Sequence, residues 1–521
     1  MIEYGHALRR WRWRAAGLLA VAVFMLLAGR FWHPFYGFTR FVQLDEAGAA
    51  AAIPGIRARP VFVYDRFNGY DGALYTQIAF HPLLDSPELQ RALGNVPYRA
   101  RRILGSALAW LIAGGNPARI ANTYAALNLA VWFGLAVLLW RVLAVSTARS
   151  FVAWLGVMFS AGALHSVRLA LTDLLAATLM AAALALAERG RATGGLATLA
   201  AAGLARETAL AAVVGLWRKA GNPVRTITAN ALKTALVTLP LVAWMVYVRW
   251  KAGPADQGFG NFAWPMVDWI EKGSATLADF VREPNFRWLN TTTLLAFLGL
   301  TTQAGYFLRR WRWADPWWRA GASGVALMAV LGTSVWEGHP GAATRVLLPM
   351  GVAFAVLATR EAARWPWIIG GGLTVFSGVL ALWHVHEAPH ELNAGTFSRG
   401  AYLTRVETGW HGIEREGGGA WAWCANRGSL TVETAPAVTR PVEVRIKLRA
   451  ITPRQLEVHD GTSIVWRGLV AQRTHVISFS AVPASSGQLC LQLGSDAAPV
   501  RENEQPETRG LGFAVYSVEL E

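Results

Sequence analysis

The chain has 521 residues, of which 54% are hydrophobic and only 16% charged, and its uncharged apolar runs repeatedly approach the roughly 20 residues that a helix needs to cross a bilayer. A formal net charge of +16 would suit a nucleic-acid partner, but the charge is unevenly placed: residues 1–390 hold 36 Lys and Arg against 19 Asp and Glu, a balance of +17, whereas residues 391–521 hold 13 against 14, a balance of −1. The excess clusters in short loops between apolar segments, as the positive-inside rule requires, so no nucleic-acid partner is implied and the chain reads as a multi-pass α-helical membrane protein.

Ala15 to His33 follows Arg9, Arg10, Arg12 and Arg14. No small-residue cleavage site precedes the Trp/Pro-rich stretch after it, so it is read as a retained first span, with the N-terminus cytoplasmic. Pro34 to Arg99 then lies outside. Ile120 to Trp140 returns inward, which leaves Arg101 to Gly114 as a partial or re-entrant helix. Phe151 to Ala187 is long enough for two short spans with His165 to Arg168 at their outer tip. Thr193 to Trp217 has basic ends and "ARET" at its middle, the pattern of two half-helices with Arg206 and Glu207 at the tip; broken helices are tolerated at membrane depth where protein surrounds them. Further spans are expected over Ala229 to Val248, Leu289 to Leu308, Ala320 to Val335, Thr344 to Ala358 and Pro366 to Trp383. Basic loops at 141–149, 189–191, 217–225, 309–319 and 360–364 are assigned to the cytoplasm, and the loops 249–288 and 336–343 to the outside.

From Glu387 the composition changes to short segments of period-two alternation, such as "LTVETA", "VEVRIKLRA" and "QLCLQLG", separated by Gly, Pro, Asn and Asp. That pattern predicts an antiparallel β-sandwich. The expected domains are therefore a helical membrane part, 1–386, whose first outer loop is 34–99, and an extracytoplasmic β domain, 387–521. Cys424 and Cys490 both fall in the β domain and are the one pair available for a disulfide if it faces an oxidising compartment.

With this topology the polar residues that a membrane segment carries only at a cost meet on one side. The first outer loop supplies Asp65, Asp71, His81 and Arg99; span tips supply His165, Arg168, Asp173, Arg206 and Glu207; the last outer loop supplies Glu337, His339 and Arg345. A carboxylate beside several arginines suits attack of a hydroxyl on a sugar whose leaving group is a phosphate, since the base takes the acceptor proton and guanidinium groups receive the departing charge. Asp71 in Asp-Gly also fits an ordinary turn residue. Asp65 in "YDRFNG" fits a helix cap, and neighbouring Arg206 and Glu207 fit an ion pair closing their hairpin.

"GYDGALYTQIAFHP" followed by "YRARRILGSALAWL" resembles the first extracytoplasmic loop of bacterial GT-C glycosyltransferases, multi-pass enzymes that use polyprenyl-phosphate sugars. The matching positions are Tyr70, Asp71, Gly72, Tyr75, Ile78, Ala79, Pro82, Tyr98, Arg99 and Arg102, with looser likeness at "ARETAL" (205–210) and "TRVLLPM" (344–350). The resemblance implies an inverting glycosyltransferase of the bacterial inner membrane. Asp71 would be its catalytic carboxylate, and Arg206, Arg345, Arg168, Tyr75, Arg99, Arg102, Asp65, His81 and Glu207 its substrate- and phosphate-binding set. It implies a polyprenyl-phosphate sugar donor, a glycan or lipid acceptor, and a bilayer as partners. His81 stands where the family often has an aspartate, and Ala73 and Thr76 replace a frequent Gln and Tyr. The missing carboxylate weakens the case for a divalent metal, which prefers oxygen ligands, so no cofactor is expected. A lipid-linked-sugar flippase and a non-catalytic envelope glycan assembly protein are the competing readings; charges confined to one surface disfavour the flippase.

Overall fold

In the computed structural model the described residues are 2–65, 68–217, 223–254, 260–501 and 509–521, with the side chains of 2–10 and 284 outside the description. The chain divides into two compact units: Met1–Phe31 with Phe38–Val385, and Trp32–Gly37 with His386–Glu521.

The first unit is helical. Five of its helices are long and apolar enough to cross a membrane: Trp11–Gly29, Pro117–Val142, Ala148–Arg168, Pro223–Ala252 and Trp365–Trp383. Several other expected spans are helical but short, including Ala192–Ala205 and Leu348–Arg360. The expected half-helix pair is a helix over Ala192–Ala205 and a 3-10 segment over Glu207–Leu216, with the break at Arg206. Within 151–187, which the sequence divides into two spans, there are three helices, Ala148–Met158, Ala161–Arg168 and Asp173–Glu188. The stretch 249–288, expected to be a loop, contains the amphipathic helix Val267–Arg282. The basic loop 217–225 lies partly outside the described residues.

Buried polar side chains serve these interruptions. Asn128 donates from its Nδ2 to the carbonyls of Ser166 and Leu171, at 2.8 and 2.7 Å, where the helix over Ala161–Arg168 ends. Gln303 does the same for the Gly371 carbonyl, at 2.7 Å, beside the interruption between Trp365–Gly371 and Val375–Trp383. Arg319 donates to the carbonyls of Val214, Gly215 and Trp217 at the end of the 3-10 segment. Each gives carbonyls beside a helix break a side-chain donor, which helps such breaks survive in apolar surroundings.

The second unit contains two antiparallel sheets. The first runs in spatial order Ser463–Val470, Arg454–Asp460, Gln488–Gly494, Arg427–Ala435, Gly400–Val406, Glu391–Phe397; the second runs His475–Ala481, Val442–Ala450, Phe513–Leu520, Gly419–Cys424, Trp410–Glu416. Alternation places Val442, Val444, Ile446 and Leu448 of one sheet and Leu456, Val458, Leu489 and Leu491 of the other in a single apolar core. The strands before residue 427 were not individually legible, because "WHGIEREGGGAWAWC" mixes glycines and tryptophans in a way that hides period two. Tyr36 belongs to this unit: its hydroxyl donates to Glu391 Oε1 at 2.6 Å and accepts from Arg405 at 2.7 Å.

The disulfide option is overturned. Cys424 is in the core between the sheets and Cys490 points outward from the six-stranded sheet, so both are free thiols. Burial pushes the Cys424 thiol up to about 12. A maleimide is therefore expected to label Cys490 in the native protein and Cys424 only after unfolding, because thiolate is the reactive form; labelling of both at equal rates, read by intact mass, would contradict this packing.

Candidate active site

Asp71 opens the helix Asp71–Phe80, with Tyr70 as its N-cap. The first turn suits a carboxylate, since free backbone N–H groups make that end positive. The Asp71 side chain is 38% exposed, with Arg99 Nε 3.9 Å from its Oδ1. It thus has a cation nearby and one side open.

Two glycines explain how distant segments converge there. A Cβ on Gly72 would lie 2.2 Å from the Leu169 carbonyl oxygen, and one on Gly162 would lie 2.4 Å from the Thr344 carbonyl oxygen. The short helix Ala161–Arg168 and the residue following it are thereby pressed between the start of the Asp71 helix and the segment carrying Arg345. Only residues without a side chain permit both approaches.

On one side of Asp71 is a network of ion pairs. Tyr75 is buried, and its hydroxyl accepts from Arg102 at 2.7 Å; burial pushes its phenol up to about 12, so it stays neutral. Arg102 also makes a two-pronged contact with Glu207, at 3.0 and 2.9 Å, and Arg101 reaches the same carboxylate at 3.0 Å. Arg206 pairs with Asp173 at 2.7 Å. Arg206 and Glu207 therefore do not close their hairpin by pairing with each other; each holds a different helix. Nε of Arg99, Arg101 and Arg206, and both Asp173 oxygens beyond that ion contact, form no hydrogen bond among the described residues.

On the other side stand Arg345, His165 and Arg168. Arg345 is 7% exposed, and its guanidinium donates to the Tyr70 hydroxyl at 2.6 Å. Among the described residues no carboxylate lies within ion-pair distance of it. His165 holds the Ala161 carbonyl through Nδ1 at 3.0 Å and sits in the field of Arg345 and Arg168. Arg168 donates to the Arg40 carbonyl at 3.3 Å and lies over the rings of Phe31 and Tyr64.

The structure brings together Asp71, Arg99, Tyr75, Arg102, Glu207 and Arg206, and links Arg345 to Asp71 through adjacent Tyr70. Tyr75 and Arg102 are buried and bonded to each other within this network. His81 is not brought to Asp71: it lies at the far end of the Asp71–Phe80 helix, about 15 Å along it at 1.5 Å per residue, and pairs with Asp85 at 3.1 Å. Asp65 follows the short strand Val63–Tyr64 and is partly buried; the helix after it, Asp71–Phe80, has Tyr70 as N-cap and no side-chain capping bond. Sequence reasoning passed over Arg101, Arg40 and Tyr64. The doublet Arg101–Arg102 within "YRARR" was the available signal for the first.

His339 stands apart, with Nδ1 3.2 Å from Thr293 Oγ1. Burial first, then neighbouring Lys272, hold its imidazole below the ordinary value of 6.5. A base whose affinity for protons is lower when folded stabilises the fold fully above 6.5 and loses that contribution as pH falls. His339→Gln is expected to make the decline of unfolding temperature on acidification shallower; an unchanged slope would contradict it.

Each carboxylate of the cluster faces a guanidinium, and among the described residues no group of three or more His, Cys, Asp or Glu is placed to hold a metal. The donor set suits anions. Comparison of the chain with protein-family models and with curated proteins finds no match.

Proposed function

We propose that the helical unit is an inverting glycosyltransferase of a bacterial inner membrane, moving a sugar from a polyprenyl-phosphate donor to an acceptor hydroxyl on a glycan or lipid outside the cell. In this reading it spans the membrane several times in the GT-C manner, and the two C-terminal sheets form an extracytoplasmic β-sandwich. The observation that carries the reading is the adjacency of Tyr70 and Asp71: one residue touches a buried arginine that has no carboxylate partner among the described residues, and the next presents a half-open carboxylate.

Asp71 accepts the proton of the acceptor hydroxyl. The hydroxyl oxygen bonds to the anomeric carbon from the face opposite the phosphate, and the bond from that carbon to the phosphate oxygen breaks, its electron pair leaving with the phosphate. Arg345, with Arg168 close to His165, receives the charge that builds on the leaving group, a task for which a preorganised guanidinium in a low-dielectric site is well suited. Glu207 and Arg102 hold the Asp71 helix, through Tyr75, against the half-helix pair, and Arg206 ties that pair to the helix opened by Asp173. No metal is assigned a step.

The full-length protein in vesicles, supplied with polyprenyl-phosphate hexose or pentose, is expected to release polyprenyl phosphate when an acceptor is present. Donor that crosses the bilayer intact, with no phosphate released, would replace transfer by transport.

A further inference from the structure

The helix Val267–Arg282 is built inside out for a protein in water. At about 100° per residue, Val267, Ile270, Ser274, Leu277 and Val281 share one stripe, and its four apolar members are each more than half exposed. The opposite side is polar and packed inward. Asp268 and Thr276 are buried, Asp268 accepts from the Thr333 hydroxyl at 2.9 Å, and the Lys272 ammonium donates to the Gly338 carbonyl at 2.9 Å. A surface helix in solvent turns its apolar stripe to the core and its polar stripe outward; here both are reversed.

We infer that this helix lies in the interfacial zone of a phospholipid bilayer with its apolar stripe among the acyl chains. It is too short and too charged to cross: sixteen residues span about 24 Å against a core of about 30 Å, and the sequence includes Asp268, Glu271, Lys272, Asp279 and Arg282. Trp264 and Trp288, before and after it, are each 83% exposed, the placement that tryptophan favours at headgroup level. The preceding helix Pro223–Ala252 also exposes apolar side chains, among them Leu239, Val242 and Val246. Arg282 and Arg287 near its C-terminal end complement anionic headgroups. The inference rests on the membrane reading and not on sugar transfer. Its mechanical meaning lies in the two inward bonds: a helix resting on lipid holds residues 333 and 338, in the segment leading to Arg345.

The test uses full-length protein carrying Cys490→Ser, so that buried Cys424 is the remaining native thiol, with a nitroxide placed in turn at Ile270→Cys, Leu277→Cys and Glu271→Cys. In vesicles of phosphatidylethanolamine and phosphatidylglycerol, power saturation compares collision with oxygen, which partitions into lipid, and with a water-soluble nickel chelate. The expected result is an oxygen-to-nickel ratio at 270 and 277 well above that at 271. Equal ratios at all three positions would overturn the inference, because the stripe would then face water. Shielding of 270 and 277 from both reagents would also overturn it, because protein, such as a second copy, would then be the occupant. Sugar-transfer activity has no part in the readout, so failure of the enzymatic proposal leaves this result unaffected.

Discussion

Asp71→Asn is expected to lower sugar transfer about a hundredfold to ten-thousandfold, the usual contribution of a positioned general base. Asparagine keeps the size and the helix-start position but accepts no proton. The Arg99 contact at 3.9 Å is too long to be a strong hydrogen bond, and the residue is partly open, so the fold should be little affected. Donor binding should also be nearly unchanged, because the phosphate is assigned to Arg345. The measurement is initial rate against donor concentration in vesicles: kcat falls while KM stays close to its starting value. Undiminished transfer would end the assignment of Asp71 as base, and a rise in KM alone would make it a binding residue.

The largest stability effect is expected at Asp173. Its side chain is 1% exposed and lies 2.7 Å from Arg206 Nη1. Asp173→Asn would leave a mostly buried guanidinium without a counter-charge. Breaking such a pair from one side costs about 3–5 kcal/mol, whereas removing both partners costs much less. The single variant should therefore unfold at a markedly lower temperature in detergent, and adding Arg206→Gln should restore part of the loss. If the double variant is no more stable than the single one, the pair is not coupled as the geometry indicates, and Arg206 must owe its position to other contacts.

Much of the site could be read from the sequence because a charged residue is conspicuous in an apolar chain. Asp71, Arg99, Arg206, Glu207 and Arg345 stand out as groups that lipid would not tolerate unpaired, and the expected parity of spans would gather them on one side. What composition does not carry is partnership. Arg206 and Glu207 are adjacent in sequence and opposite in charge, yet the turn at Arg206 sends their side chains to different helices. His81 looked like part of the site because ten residues seem close in a sequence; in a helix they are a rod that carries the end away. The helix Val267–Arg282 was hidden because its charges and small residues read as loop, and its apolar stripe is visible only when plotted at helical spacing. The helix breaks were concealed for a related reason: the residues that make them tolerable, such as Asn128 and Gln303, lie on other helices.

Tyr36 carries a consequence for the order in which the molecule is made. Its hydroxyl joins Glu391, 355 residues later in the chain, and Arg405 beyond it. Residues 32–37 are made before most of the helical portion and must wait until nearly all of it has been synthesised before their neighbours exist. Closing so long a loop is entropically cheap once the intervening helices are fixed, so the later-made strands complete a unit whose first piece is already in place. A polypeptide beginning at residue 386 would lack that piece and leave Arg405 with one hydroxyl fewer to bind.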